Sequence, residues 1–197
     1  MGFLQFLFAA CVLPAAVFAQ TVCNQHAEYC DLRYSDITFM GSHDSPFVGN
    51  LLSDNQELSV TAQMDMGIRF LQSQTHNDED GTLSMCHTNC VLRNAGPVTS
   101  YLETVKEWLD AHPDEVVTLL ITNGDRVDMS RFDDAFVASG LKSYAYVPPT
   151  SPDWLPMDQW PTLRELIESG KRLIVFIGML QYPWAEYILQ IALSNSI

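Results

Sequence analysis

Glu115-Val116-Val117-Thr118-Leu119-Leu120-Ile121-Thr122 is a nearly continuous apolar run broken by Asn123-Gly124-Asp125, the pattern of a parallel strand covered on both faces. Helical stretches flank it. Before it, the capping box Ser100-x-x-Glu103 opens a segment with Leu102, Val105, Trp108 and Leu109 on one face, and Pro113 ends it. After it, Phe132, Phe136 and Val137 share a helical face that stops at Gly140. A proline-rich loop holding Pro148, Pro149, Pro152 and Pro156 leads to a second capping box, Thr162-x-x-Glu165. Gly170 closes that helix, and Leu173 to Ile177 forms another apolar strand.

The same alternation runs upstream. Asp36 to Met40 reads as a first strand stopped by the polar loop Gly41-Ser42-His43-Asp44-Ser45-Pro46. Ser53-x-x-Gln56 can cap a helix running to Met66, with Gly67 as its left-handed end, and Ile68-Arg69-Phe70-Leu71 begins a second strand. After the turn Asp80-Gly81, Leu83 to His87 reads as a third strand and a hairpin partner. Five strands separated by helices suit either an open doubly wound sheet or a (β/α)8 barrel. In both, chemistry sits at the carboxyl ends of strands.

The 197 residues carry 10 Lys and Arg against 24 Asp and Glu, a formal net charge of 10 − 24 = −14. With 47% apolar residues this is a folding composition, and its acidity excludes nucleic acid as a partner. Residues 3–18 are almost wholly apolar and lead to Val17-Phe18-Ala19, a signal-peptidase spacing. Residues 1–19 therefore read as a signal peptide and residues 20–197 as one secreted, extracellular domain. Cleavage removes Cys11 from the five cysteines and leaves Cys23, Cys30, Cys86 and Cys90. An even number behind a secretory signal reads as two disulfides, with Cys23–Cys30 and Cys86–Cys90 the pairing that needs least rearrangement; a zinc site is the alternative.

No glycine-rich phosphate loop, Gly-x-Ser-x-Gly elbow or His-Glu-x-x-His occurs, which removes the nucleotide, hydrolase-triad and zincin readings. Histidine remains. His43, His76 and His87 follow the first three strands, and three of five imidazoles at strand ends point to one site. Two facing imidazoles can act as general base and general acid near neutral pH, which phosphodiester cleavage requires. His26 and His112 lie elsewhere in the pattern.

Gly41-Ser42-His43-Asp44-Ser45, the Met66-Gly67-Ile68-Arg69-Phe70 strand opening, Cys86-His87-x-x-Cys90 and the Thr162 to Ile177 helix and strand together resemble the X domain of phosphatidylinositol-specific phospholipases C, and most of all the secreted fungal PLC-like phosphodiesterases. The resemblance implies a TIM-like (β/α) barrel and a phosphoric diester hydrolase of lipid metabolism. It implies His43 as general base toward an inositol 2-hydroxyl, His87 as general acid and Asp44 as their electrostatic partner. Bacterial members carry Asp-x-Arg on the second strand, where the Arg clamps phosphate. Here those positions are Gln72 and Gln74, which with His76 are the expected substrate contacts.

Arg69 does not replace that clamp, because strand side chains alternate and Arg69 falls on the opposite face from Gln72, Gln74 and His76. Calcium-dependent members use Asn and several acidic ligands, and glycerophosphodiester phosphodiesterases a Glu-x-Asp pair. With Asp44 the lone acid here, neither a required metal nor another cofactor is expected. The expected partner is a phosphodiester, an inositol phospholipid head group among the candidates. A secreted binding protein that keeps the fold without activity is the alternative.

A barrel takes about 250 residues with 200 as a lower bound, whereas 197 − 19 = 178 remain after cleavage. The expectation is a barrel truncated at its C-terminus, with about five of eight strands, an open curved sheet, helices on its outer face and a half-exposed site. The part left out would hold the late strand from which family members supply an Asp to the general base. Residues 181–197 read as a short amphipathic helix. A membrane span over residues 173–193 is the lesser reading, interrupted by Pro183 and Glu186, so no stable span is expected in the mature chain.

Overall fold

Val117–Asn123 forms β5, the central strand, and its burial pattern shows why it does: Val117, Leu119 and Ile121 are buried beneath helices while alternate residues face the other way. The computed structural model describes residues 22–151, 153–179 and 188–190. The expected signal peptide lies outside these residues. β5 pairs in parallel with β2 (Phe70–Asn77) on one side and β6 (Leu173–Met179) on the other. β1 (Gly41–Ser42) also runs parallel to β2. β3 (Leu83–Cys86) and β4 (Asn94–Pro97) form an antiparallel hairpin on β2, and β7 (Ile188–Gln190) is antiparallel to β6. The sheet runs β4-β3-β2-β5-β6-β7, with β1 beside β2, and it does not close among the described residues. Among the described residues it is an incomplete TIM-type barrel with four parallel strands.

Two apolar clusters cover the sheet. Outside, α2 (Val98–Ala111) and α3 (Met129–Ala138) pack Leu102, Val105, Leu109, Phe132 and Phe136 onto Leu71, Leu119, Ile121 and Val175. A second cluster joins the N-terminal disulfide Cys23–Cys30, Tyr34, Val116, Ile174 and Leu163 and Leu166 of α4 (Leu163–Glu168). Tyr34 shares a 2.9 Å hydrogen bond with Thr118, and burial pushes its phenol up to about 12. The Thr162 capping box is formed, and Gly67, Gly140 and Gly170 end their helices at positive φ.

Several local expectations fail for identifiable reasons. Residues 34–36 form a 3-10 turn, and strand pairing starts only at Gly41, because β2 begins at Phe70 and Met40 O already receives the Arg69 and Phe70 amides. Ser53 and Gln56 cap nothing; their polar groups bind the two candidate histidines, and α1 (Val60–Asp65) starts later under the Ser59 hydroxyl. The α2 helix starts at Val98 rather than behind Ser100, since Pro97 supplies a ready-set φ at its entry. Val137 is exposed because it follows Phe136 by about 100° around α3. The edge strand β4 was unforeseen, its Gly96 and Pro97 giving no β signal. Residues 188–190 are a strand, not part of a helix over 181–197.

Candidate active site

β1 and β3 occupy the same edge of β2 from opposite directions. β1 pairs in parallel with Phe70 and Leu71, while β3 descends antiparallel from Asn77 to Thr75. Their ends therefore meet beside Gln72 to Gln74, which brings together His43-Asp44 from the end of β1 and His87 from the end of β3.

Asp44 is the centre of this meeting. It is fully buried, and its Oδ2 lies 3.1 Å from His43 Nε2 and 3.4 Å from His87 Nε2. The Gln74 amide donates to both Asp44 oxygens at 3.1 Å, and the Asp44 backbone N–H donates to Gln72 Oε1 at 2.8 Å. The Thr88 amide donates to Gln74 Oε1 at 3.2 Å, so Gln74 ties the two histidine-bearing turns to each other. Both turns hold a non-glycine residue in the left-handed region, Asp44 at φ 52° and Thr88 at φ 66°. A β-branched residue there is strained by about 1–2 kcal/mol, and the surrounding hydrogen bonds hold it.

The two imidazoles differ in setting. The His43 side chain is 66% exposed, and its backbone carbonyl receives the Gln56 side-chain amide at 2.6 Å. The His87 side chain is 21% exposed, stacks on Phe47, and places Nδ1 2.8 Å from Ser53 O. Ser53 O and the Asp44 carboxylate both only accept, so His87 donates to both only with a proton on each ring nitrogen, Nδ1–H toward the carbonyl and Nε2–H toward Asp44. The disulfide Cys86–Cys90 closes the loop around His87.

His76 does not join this network. Its Nδ1 lies 2.7 Å from Asp125 Oδ1, and its ring fits against Gly124, where an added Cβ would stand 2.2 Å from a ring carbon. Burial opposes ionisation of Asp125, but the Asn77 amide and His76 outweigh it and hold that carboxyl below its usual range. His26 pairs with Glu28, and His112 stacks on Trp108, both away from Asp44. Gln72 and Gln74, expected as substrate contacts, spend polar atoms on Asp44 and Thr88.

Arg69 is a structural cation. Buried at 3% exposure, it donates from Nε to Glu115 at 2.7 Å and from Nη1 to the Met64 and Ile68 carbonyls, beneath the Trp108 ring. No Lys or Arg is paired with Asp44, Gln72 or Gln74 among the described residues. No group of three or more His, Cys, Asp or Glu suited to a metal occurs among them either.

The chain that carries this site is similar to known proteins. The family model described as PI-PLC X 1 matches residues 29–190. The chain belongs to the PI-PLC X family. It is 62% identical over 166 residues to PI-PLC X domain-containing protein 1 of Arthroderma benhamiae, covering 84% of this chain and 53% of the relative. An uncharacterized secreted protein of the same fungus is 47% identical, with 79% and 35% covered. Among solved structures, the phosphatidylinositol-specific phospholipase C of Listeria monocytogenes overlays with a TM-score of 0.54 at 17% identity, over 83% of this chain and 55% of that one. This PI-PLC X chain thus spans about half the length, or less, of these relatives. No described helix is long and apolar enough to cross a membrane.

Proposed function

We propose that this PI-PLC X chain is a secreted phosphoric diester hydrolase acting on a phospholipid-type diester, with His43 and His87 as its proton-transfer pair. The observation that carries the reading is the placement of both Nε2 atoms on the one buried Asp44 oxygen, at 3.1 and 3.4 Å. The open ring, His43, takes the proton of the attacking hydroxyl as its oxygen bonds to phosphorus. The recessed ring, His87, in its doubly protonated form gives the Nε2 proton to the departing alkoxide as the P–O bond breaks and keeps the Nδ1 proton on Ser53 O. Asp44 holds both rings and balances the charge that alternates between them. The inositol 2-hydroxyl is the proposed internal nucleophile. Secretion is supported by the sequence of residues 1–19 and by two disulfides.

A second reading, a binding protein without turnover, is favoured by one observation: no cation is paired with the Gln72–Gln74 side of the site among the described residues. A missing charged donor at a transferring phosphate costs on the order of 3 kcal/mol, roughly a hundredfold in rate. An assay of the secreted protein against inositol lipid and an aryl phosphodiester separates the two. Turnover lost in both His43→Ala and His87→Ala supports the hydrolase. Saturable diester binding without turnover supports the binder, and turnover unchanged in both variants overturns the histidine roles.

A further inference from the structure

His87 owes its ring orientation to Ser53 O, yet Ser53 lies in an irregular loop between β1 and α1 with no regular element to hold it. The residue beside it supplies the hold. Asp54 is 3% exposed in its side chain, accepts Arg93 Nε on Oδ1 at 2.5 Å and accepts the Leu51 amide on Oδ2 at 2.9 Å. Leu51, Arg93 and the nearby His87 together keep that carboxyl ionised below its usual range, with the Leu51 amide the largest cause and burial opposing it. Arg93 also donates from Nη2 to Val48 O at 2.9 Å, so its guanidinium binds the loop at two points. The fit is close: a Cβ on Gly49 would stand 2.3 Å from Asp54 Oδ2.

Arg93 reaches His87 from the other side as well. Its backbone carbonyl accepts the His87 amide at 3.0 Å. The contacts close a ring: His87 N–H to Arg93 O, the Arg93 guanidinium to Asp54, and the adjoining Ser53 O back to His87 Nδ1. The same loop carries Gln56, whose amide holds the His43 carbonyl.

We infer that Asp54 and Arg93 are positioning residues, an ion-paired latch that holds Ser53 O against His87 Nδ1–H and so keeps Nε2 directed at Asp44. This rests on the proposed acid role of His87 for its consequence in turnover, but not for its effect on the ring. Without the latch, the loop releases the carbonyl, Nδ1–H loses its acceptor, and the ring is free to turn Nε2 away from Asp44.

The test is 15N NMR of the histidine rings in the whole secreted protein, native and variants at one pH, together with diester kinetics. The native His87 is expected to show the Nδ1 shift of a protonated nitrogen hydrogen-bonded to a carbonyl. In Arg93→Gln the Nδ1 shift moves to that of a nitrogen without this acceptor, and kcat drops by one to two orders of magnitude with KM within about twofold. Arg93→Lys, which keeps the charge but loses the two-point grip, restores part of both. Asp54→Asn is nearly isosteric and carries the same test should Arg93→Gln fail to fold. Unchanged His87 ring shifts in folded Arg93→Gln or Asp54→Asn overturn the latch, whatever the activity. Altered shifts in a protein that turns over no diester uphold the latch and reject the hydrolase reading instead.

Discussion

Replacing Arg69 by Met tests whether the second-strand arginine is a scaffold or a substrate clamp. The side chain is 3% exposed, the Glu115 side chain that it meets at 2.7 Å is 9% exposed, and the guanidinium binds the Met64 carbonyl at the end of α1 and the Ile68 carbonyl before β2 and lies 4.7 Å from the centre of the Trp108 ring. Arg69→Met keeps the aliphatic packing but leaves Glu115 charged, buried and unpaired. Breaking a buried pair from one side costs about 3–5 kcal/mol. For a domain of this size that lowers Tm by roughly 6–20 °C, at about 2–4 °C per kcal/mol. Urea unfolding followed by tryptophan fluorescence reads the loss, with Trp108 itself beside the site of change. The double variant Arg69→Met/Glu115→Leu should recover most of it, since an apolar pair of similar volume does not need the charges. A loss below about 1 kcal/mol in the single variant would refute the scaffold role, and a large drop in diester affinity at unchanged stability would assign Arg69 to the substrate.

Asp44→Asn should lower diester turnover about tenfold to a hundredfold, the weight of a charge-assisted hydrogen bond, with little change in Tm, because Asn tolerates the left-handed backbone that Asp44 holds at φ 52°; steady-state kinetics beside a thermal melt check both halves. Gly124→Ala should destabilise by about 1–3 kcal/mol, since its Cβ would press on the His76 ring at 2.2 Å, and a melt that matches the native protein would contradict that packing. On the alkaline side, the folded-state pKa of Tyr34 is raised to about 12 against about 10 for an unfolded tyrosine. Its contribution to stability is therefore whole below pH 10 and lost as pH rises toward 12; Tyr34→Phe should flatten that limb of a stability-against-pH curve.

The elements legible in the sequence are those governed by local physics. The apolar run at 115–122 is a buried parallel strand because nothing polar in it can face water. Thr162 and Glu165 cap a helix because their side chains need only each other and the first-turn amides. Gly67, Gly140 and Gly170 end helices because a residue without Cβ adopts positive φ freely. The misread elements depend on distant partners. Ser53-x-x-Gln56 has the spacing of a cap, but Ser53 O and the Gln56 amide serve His87 and His43. The 94–97 edge strand exists only because β3 offers it a partner.

His43, Asp44 and His87 were visible as residues from their position after strands, and the parity of a strand was enough to turn Arg69 away from Gln72 and Gln74. Their meeting was not visible. It arises because β1 ascends and β3 descends the same edge of β2 and stop on either side of Gln72 to Gln74. The position of Gln74 on β2 does not reveal that its amide and carbonyl join Asp44 to the Thr88 turn. His76 was read into the site by the period-2 alternation of β2, which sets the face of a side chain but not how far its ring reaches; Asp125, arriving on the β5 loop, draws the ring to itself. Sequence by itself determined which residues could carry proton transfer and where the buried strands and locally capped helices run, because side-chain chemistry and local periodicity are properties of neighbouring residues. Only the tertiary structure decided which of them share one buried carboxylate, because that depends on strand direction and register between segments tens of residues apart.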